Sequence, residues 1–227
     1  MLKDFFSLIY PPVCISCENI LLQNENRICT NCLYNLPQTN FHQLPDNPVA
    51  KLFWGRANIA SAAAMFTFSK EGKVQRLIHQ LKYNKQKEIG KILGNMYGSE
   101  LKETAIFKNV DVVVPVPLHP KKMKKRGYNQ SSLFAEGIAK SMQIECSEKI
   151  IFRTTFSESQ TKKSRYKRWE NVSSIFETKN NFSIIGKHIL IVDDVVTTGS
   201  TLEACAQTVL KIPNTKVSIA TIAFAAL

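Results

Sequence analysis

The sequence is poor in several features, and each scarcity excludes a class of protein. None of its apolar stretches approaches the roughly 18–20 residues that a membrane-spanning helix requires. Glycine and proline number only nine each, which excludes fibrous and proline-rich chains. The first residues contain a short apolar run but lack the basic stretch that opens a signal peptide. We therefore expect a cytoplasmic protein without a membrane span.

Acidic residues are the other scarce class. The chain has 18 acidic residues against 30 basic ones, and its formal net charge is +12. Such an excess favours anionic partners, namely nucleic acid, phosphorylated metabolites or an acidic membrane surface. The alternative is a basic soluble protein without such a partner. The length of 227 residues accommodates one full domain plus a small attachment.

Cysteine is uncommon and unevenly placed, since four of the six cysteines lie within the first 32 residues. These four form two CxxC pairs with eleven residues between them: Cys14, Cys17, Cys29 and Cys32. Because a cytoplasmic chain keeps its thiols reduced, metal binding is favoured over disulfides. Two such pairs supply the closed thiolate set of a structural Zn²⁺ site. A redox CxxC motif is the alternative, and the two closely spaced copies argue against it. Cys146 and Cys205 are interpreted as packing residues.

The pattern of apolar residues predicts an N-terminal module followed by an α/β domain. Residues 1–40 are predicted to be the zinc-binding module, residues 41–58 a linker, and residues 59–227 the α/β domain. The predicted strands are Ile59–Phe68, Val110–Pro117, residues 150–153, Lys187–Val192 and Lys216–Phe224. The predicted helices are Gly72–Tyr83, Lys87–Leu101, Ser131–Met142 and Thr201–Leu210. Alternation of this kind predicts a Rossmann-like parallel sheet.

The most informative motif is the segment Ile189–Thr201, with the sequence ILIVDDVVTTGST. Its apolar half predicts a strand that delivers Asp193 and Asp194 at its carboxyl end, where open α/β sheets bind ligands. Gly199 permits a positive φ and a close approach to an anion. Hydroxyls and amides at the following helix N-terminus form a phosphate nest. The predicted phosphate-binding residues are Val195, Val196, Thr197, Thr198, Gly199, Ser200 and Thr201.

Two carboxylates beside a phosphate nest repel a bare phosphate, but they accept hydrogen bonds from hydroxyl groups on the same ligand. A ribose 5-phosphate presents both groups. A Walker loop is excluded because the chain has no GxxxxGK[ST] sequence. The alternative is that Asp194 and Thr198 only cap a helix.

This segment resembles the signature of the type I phosphoribosyltransferases. The resemblance implies that Asp193 and Asp194 bind the ribose hydroxyls of phosphoribosyl pyrophosphate (PRPP) and that the loop binds the 5-phosphate. It also implies that Mg²⁺ bridges the pyrophosphate and the ribose. Pro117 and Leu118 are assigned to the same site. Because no nucleobase pocket is evident, binding is better supported than catalysis. The alternative function is an active phosphoribosyltransferase with an unknown acceptor in nucleotide metabolism.

A four-cysteine motif joined to this domain resembles the ComF family of bacterial competence proteins over nearly the whole chain. The shared marks are Leu81–Tyr83, Val114–Pro120, the segment through Gln130, Thr161, Arg165, Arg168, Asn171, Val172 and Phe176. The resemblance implies support of DNA uptake at the cytoplasmic face, beside a DNA translocase, with binding of single-stranded DNA. A nucleotide-sensing adaptor whose zinc module docks a protein partner is a further alternative.

Ten of the thirty basic residues lie in two short segments that are predicted to be loops. The first segment contains Lys121, Lys122, Lys124, Lys125 and Arg126. The second contains Lys162, Lys163, Arg165, Lys167 and Arg168. Aromatic residues lie beside both segments, and Trp169 is assigned to base contact. Clustered charge with aromatic rings suits single-stranded DNA. The alternatives are closure over pyrophosphate and a solvated face.

Overall fold

A computed structural model describes residues 11–154, 175–179 and 181–226 of the chain. The helices of these ranges are α1 (Thr30–Tyr34), α2 (Pro48–Lys51), α3 (Lys73–Tyr83), α4 (Lys87–Leu101), α5 (Pro120–Arg126), α6 (Gln130–Met142) and α7 (Ser200–Val209). The strands are β1 (Ser61–Thr67), β2 (Val112–Pro115), β3 (Glu145–Cys146), β4 (Ile151–Arg153), β5 (Phe176–Thr178), β6 (His188–Val196) and β7 (Lys216–Phe224). Two 3₁₀ turns, Phe41–Gln43 and Asn181–Ile184, complete the described elements.

Five strands form a parallel sheet in the order β1-β7-β6-β2-β3. Strands β4 and β5 form a separate antiparallel pair. The central strand β6 is hydrogen-bonded to β2 on one side and to β7 on the other, so that Val192 lies between Pro115 and Ala220. The carboxyl ends of these strands therefore share one edge of the sheet. The predicted Rossmann-like parallel sheet is confirmed.

Helices cover both faces of the sheet, and alternate residues of each strand point to opposite faces. In β6, Leu190 and Val192 belong to one hydrophobic cluster, which includes residues of α3, α4 and α6. Ile189 and Ile191 belong to a second cluster, which includes residues of α7. A strand that is buried on both faces needs an unbroken apolar run, which explains the sequence of β6.

Helices α4 and α6 lie in close contact because glycine lines the surface between them. Gly90, Gly94 and Gly98 recur at every fourth residue of α4, and Gly137 of α6 meets them. A Cβ atom on Gly94 would lie 2.2 Å from the backbone oxygen of Phe134, and one on Gly137 would lie 2.5 Å from a backbone oxygen of α4. Only hydrogen fits at these two positions, so glycine sets the distance between the helices.

Most of the predicted elements agree with the structure to within two residues, but β6 is longer than predicted. The strand was expected to end at Val192, with Val195 and Val196 in a turn, and that expectation is wrong. It continues to Val196 because β7 offers backbone partners over the same length, pairing Asp193 with Thr221 and Val196 with Phe224. The acidic pair therefore lies near the carboxyl end of a hydrogen-bonded strand.

The first basic segment forms helix α5, and the prediction of a loop there is wrong. Pro120 stands in the first turn, where its missing N–H costs nothing, and the His119 side chain accepts a hydrogen bond from the Lys121 amide at 3.1 Å. Gly127 ends the helix with a φ of +77°. The basic residues of the last turn also suit the negative end of the helix dipole.

Residues 41–58, predicted to be a linker, pack against the sheet domain. Asn47 caps α2 by accepting hydrogen bonds from the amides of Val49 and Ala50. Its side-chain amide donates to the backbone oxygens of Leu44 and Ala62, each at 2.7 Å. This buried asparagine ties the segment to β1. The lack of periodicity in the sequence therefore reflects short elements, and the domain limits themselves stay a prediction.

The cysteine-rich segment packs against α3. Leu21, Ile28 and Leu36 belong to the same hydrophobic cluster as Leu77 of that helix. A guanidinium nitrogen of Arg76, also in α3, donates to the backbone oxygen of Ser16 at 3.3 Å. The N-terminal module is thereby fixed to the helix that leads toward the sheet edge.

Within the described ranges, the helices are all too short or too polar to span a lipid bilayer.

The glycine contact between α4 and α6 leads to a stability prediction. We expect Gly94→Ala to lower the free energy of unfolding by about 1–3 kcal/mol, because the added methyl group overlaps a backbone oxygen that cannot move alone. This loss should outweigh the gain of about 1 kcal/mol in helix propensity. Urea denaturation measures the difference. Asn95→Ala, at the next and exposed position of α4, is the control and should not lower stability. Equal midpoints for the Gly94 variant and the wild type would contradict the close contact.

Candidate functional site

The acidic pair lies at the carboxyl end of β6, and protein groups contact both carboxylates. The Asp193 carboxylate accepts hydrogen bonds from the Ser131 hydroxyl at 2.7 Å and from the Asp194 amide at 2.8 Å. Burial and repulsion from Asp194 together raise the pKa of Asp193 to about 7, although these hydrogen bonds oppose the rise. The surroundings of Asp193 therefore disfavour its charged form.

A lysine that lies 112 residues earlier in the sequence completes this cluster. The Lys82 ammonium, in the last turn of α3, lies 2.9 Å from a carboxylate oxygen of Asp194. The two side chains are 20% and 13% exposed, so the ion pair is largely shielded from water. Lys82 offsets part of the repulsion between the two neighbouring carboxylates. The neighbouring residue Leu81 fixes the position of Lys82. Leu81 is buried, and its backbone oxygen accepts a hydrogen bond from the Tyr128 hydroxyl.

The phosphate loop follows β6 directly and leads into α7. Gly199 occupies the N-cap position with φ +77° and ψ −4°, a conformation that favours glycine. The first intrahelical bond of α7 runs from the Glu203 amide to the Gly199 oxygen at 2.8 Å. The preceding amides of the first turn lack an intrahelical acceptor and carry the positive end of the helix dipole. This end of α7 is suited to an anion.

The interpretation of Asp194 and Thr198 as simple helix caps does not agree with this geometry. No side chain caps α7 at Gly199. Asp194 is paired with Lys82, and the hydroxyl of Thr198 lies 3.0 Å from that of Ser200. The hydroxyls of the loop are exposed and stay accessible to a ligand.

The segment that follows α2 packs against the phosphate loop. The Phe53 ring lies so close to Gly199 that a Cβ atom there would be 3.2 Å from it. The Arg56 guanidinium donates to the backbone oxygen of Thr198 at 2.9 Å and forms an ion pair with Glu203 of α7. These contacts fix the loop through a part of the chain that was predicted to be a linker.

Pro117 and Leu118, which were assigned to the same site, follow β2 at the same edge of the sheet and are half-buried. The side chain of Asn129 donates to the Val116 oxygen at 2.9 Å and accepts from the Ser131 amide at 3.2 Å. Asn129 therefore joins the end of β2 to the start of α6, where Ser131 reaches the acidic pair.

The basic helix α5 lies beside the end of α3. Its four lysines are exposed, whereas Arg126 is half-buried and has its guanidinium 5.3 Å from the ring centre of Tyr83. The Tyr83 ring is 53% exposed and also lies 4.9 Å from the ring of His79. The second basic segment (Lys162, Lys163, Arg165, Lys167 and Arg168) and Trp169 lie outside the described residues.

The four N-terminal cysteines form a cluster whose sulfur atoms all lie within 4.8 Å of one another. The Cys17 and Cys29 sulfurs are 3.7 Å apart. A tetrahedral site with Zn–S bonds of about 2.3 Å would place its sulfurs about 3.8 Å apart. The sulfur of Cys14 accepts a hydrogen bond from the Cys29 amide at 3.2 Å, and that of Cys29 from the Cys32 amide at 3.4 Å. The four residues thus fit a tetrahedral metal ion, consistent with structural zinc.

Three residues at the sheet edge have no signal in the sequence that marks them as part of the site. Ser131 belongs to an ordinary helix, and Arg56 to a segment without a motif. Lys82 lies within Leu81–Tyr83, one of the marks that the chain shares with the ComF family, but nothing in that mark predicts a partner in β6. Each of the three meets the site only through tertiary packing.

Comparison with known proteins agrees with this architecture. Residues 128–226 match the phosphoribosyl transferase domain family. DNA utilization protein YhgH of Escherichia coli K12 is 33% identical over 138 residues, which cover 60% of this chain and 60% of the relative. Competence protein F of Haemophilus influenzae is 29% identical over 142 residues, 60% of this chain and 61% of the relative. These matches thus span about three fifths of either relative.

Competence protein ComFC of Bacillus subtilis is 27% identical over 205 residues, 88% of this chain and 78% of the relative. The chain is therefore similar to these competence proteins, and its residues 128–226 match the phosphoribosyl transferase domain family.

Two solved structures are similar to this chain at a low level. Glutamine phosphoribosylpyrophosphate amidotransferase of Bacillus subtilis has a TM-score of 0.45 and 17% identity, covering 63% of this chain and 30% of that chain. Adenine phosphoribosyltransferase of Leishmania donovani has a TM-score of 0.37 and 13% identity, covering 80% and 79%. The type I phosphoribosyltransferase fold is assigned from the domain match and the topology of the sheet.

The cysteine cluster leads to a metal prediction. We expect about one Zn²⁺ per chain in protein prepared without chelators, and none in a Cys29→Ser Cys32→Ser variant, because a closed site needs all four thiolates. Metal analysis by mass spectrometry measures this. Cys146→Ser, which changes a cysteine outside the cluster, should keep the metal. Loss of metal should raise hydrogen exchange most in residues 11–36, since small metal modules depend on the ion for folding. Full zinc content in the double variant would contradict the assignment.

Proposed function

We propose that this protein binds PRPP, or a related ribose phosphate, together with Mg²⁺ at the carboxyl end of β6. The observation that supports this proposal is the order of two features along the chain. The acidic pair lies at the end of β6, and the N-terminus of α7, which is suited to an anion, follows within a few residues. Asp193 and Asp194 would accept hydrogen bonds from the ribose hydroxyls, and the segment Val195–Thr201 would hold the 5-phosphate. Pro117 and Leu118 would border the same ligand from the end of β2.

Charge supports a ligand that has both a phosphate and hydroxyl groups. The carboxylates repel a bare phosphate, whereas exposed Thr197 and Thr198 and the first amides of α7 attract one. A ligand with the two groups a few ångströms apart satisfies both halves of the site. The magnesium ion fits this donor set because it prefers one or two carboxylates together with phosphate oxygens of the substrate. When bound, it would neutralise part of the pyrophosphate charge.

We further propose that the exposed basic surface binds single-stranded DNA. The lysines of α5 would track phosphates, and the exposed Tyr83 ring, flanked by Arg126, offers a face on which a base can stack. The basic residues 162–168 and Trp169 would supply further phosphate and base contacts. By similarity to the competence proteins, the activity would serve DNA uptake at the cytoplasmic face, beside a DNA translocase.

The alternative is catalysis, which the match to the phosphoribosyl transferase domain favours. It requires an acceptor base as well as the sugar. Release of pyrophosphate from PRPP in the presence of candidate bases distinguishes the two functions, since binding alone releases none.

The sugar site is tested by removing its charge without changing its shape. We expect Asp193→Asn Asp194→Asn to weaken PRPP binding about 100-fold or more, because each charge-assisted hydrogen bond contributes roughly 1.5–3 kcal/mol. Calorimetry in the presence of Mg²⁺ measures the affinity. Glu145→Gln, an exposed change elsewhere on the sheet, should bind as the wild type does. Equal affinity in the double variant would remove the acidic pair from the site.

The DNA surface is tested by charge reversal at matched net charge. Replacing Lys121, Lys122, Lys124 and Lys125 with Glu should weaken binding of a labelled oligonucleotide. The slope of log affinity against log salt concentration should also become less negative by up to about 3, because each lost phosphate contact contributes about 0.7. Fluorescence anisotropy across a salt series measures both effects. The control reverses four exposed lysines from other surfaces: Lys102, Lys108, Lys140 and Lys211. If both variants behave alike, α5 is not a DNA contact.

Stacking is tested separately from charge. Tyr83→Ala should weaken binding of the same oligonucleotide by roughly 1–3 kcal/mol while the salt slope stays nearly constant, because stacking releases no counterions. Trp169→Ala is expected to act in the same way. A change in slope without a change in affinity at low salt would argue against a stacking role.

A further inference from the structure

The Lys82–Asp194 pair presents a hydrogen-bond donor and an acceptor side by side in the proposed sugar site. The ammonium and the carboxylate oxygen are 2.9 Å apart. Within the part of the chain that the structure describes, Lys82 is the one cation that forms an ion pair with either member of the acidic pair. An ammonium has three N–H donors, and the pair with Asp194 uses one of them.

A hydroxyl group both donates and accepts hydrogen bonds, whereas a carboxylate only accepts and an ammonium only donates. Asp194 alone would accept a hydrogen bond from a sugar hydroxyl. The lone pairs of the hydroxyl oxygen would then have no donor. A hydroxyl that donates to Asp194 lies within about 3 Å of that carboxylate. A hydroxyl on the oxygen that Lys82 contacts lies beside the ammonium, which has donors to spare. The pair is complementary to a hydroxyl in both of its roles.

We infer that Lys82 is a specificity-determining residue which, with Asp194, selects ribose phosphates over 2-deoxyribose phosphates. The inference rests on the proposed function, since it assumes that the site binds a ribose phosphate. The selected feature is the 2-hydroxyl of the sugar. A site built to hydrogen-bond a hydroxyl rejects an analogue without it, because its buried polar groups then lack their partner. The sugar of DNA is such an analogue.

The packing of α3 supports a defined position for the ammonium. Leu81 is fully buried, and its backbone oxygen accepts a hydrogen bond from the Tyr128 hydroxyl. The helix ends at Tyr83, one residue later. Lys82 itself is half-buried, in contrast to the exposed lysines of α5. A side chain held in this way can discriminate between two ligands that differ by one oxygen atom.

The test compares ribose 5-phosphate with 2-deoxyribose 5-phosphate by calorimetry at one fixed Mg²⁺ concentration. The wild-type chain should prefer ribose 5-phosphate by about tenfold or more, as expected for one charge-assisted hydrogen bond. Lys82→Met, which keeps the length of the side chain and removes the charge, should lose most of this preference. The preference should fall because this variant binds ribose 5-phosphate more weakly, whereas it binds 2-deoxyribose 5-phosphate nearly as before. Lys82→Arg should recover part of the preference.

Two controls separate recognition from structure. Lys73→Met changes a half-buried lysine at the other end of α3 and should keep the wild-type preference. Zinc content and the urea midpoint report whether each variant is folded. If Lys82→Met weakens both sugars equally, Lys82 only neutralises Asp194 and the inference is overturned. A preference that persists unchanged in Lys82→Met overturns it as well. If the wild-type chain binds neither sugar, the inference is overturned, whereas the proposed function fails only if PRPP does not bind either.

Discussion

The close contact between α4 and α6 is the constraint on which the rest of the site depends. Backbone oxygens occupy the space where side chains of Gly94 and Gly137 would be, so the two helices cannot separate without leaving a void. This contact fixes the start of α6, where Ser131 donates to Asp193. It also fixes the start of α4. Because only three residues separate α3 from α4, this limits where Lys82 can lie. A pair of glycine-lined helices thus determines the surroundings of two carboxylates on the sheet.

The acidic pair is costly to build and is stabilised from three sides. Neighbouring carboxylates repel each other, and burial increases that cost, as the raised pKa of Asp193 indicates. A serine hydroxyl, a backbone amide and the Lys82 ammonium offset part of it. A site with these groups is prepared for a ligand that brings further hydroxyl donors. This is a physical reason for the proposed preference for a ribose over a simple phosphate.

Three parts of the molecule meet at helix α3. The cysteine module packs on its outer face through Leu36 and through the hydrogen bond of Arg76. At its carboxyl end, Lys82 contacts Asp194 while Tyr83 contacts Arg126 of the basic helix. The metal cluster, the proposed sugar site and the proposed DNA surface therefore share one structural element. If the basic surface binds DNA as proposed, a sugar site that rejects deoxyribose would stay available for its own ligand.

Features that lie within a few consecutive residues could be predicted from the sequence alone. Each CxxC pair and the segment Asp193–Thr201 are contiguous in the sequence, and the apolar periodicity was sufficient for a parallel sheet. Helix α5 was missed even though Pro120 and Gly127 mark its ends, because its charges suggested a loop. Only the tertiary structure decided the strand order, the extent of β6 and the partners of the acidic pair. Lys82 and Asp194 are 112 residues apart and Ser131 and Asp193 are 62 apart. Their contacts arise from helix packing on the sheet, and no local pattern of residues encodes packing at that distance.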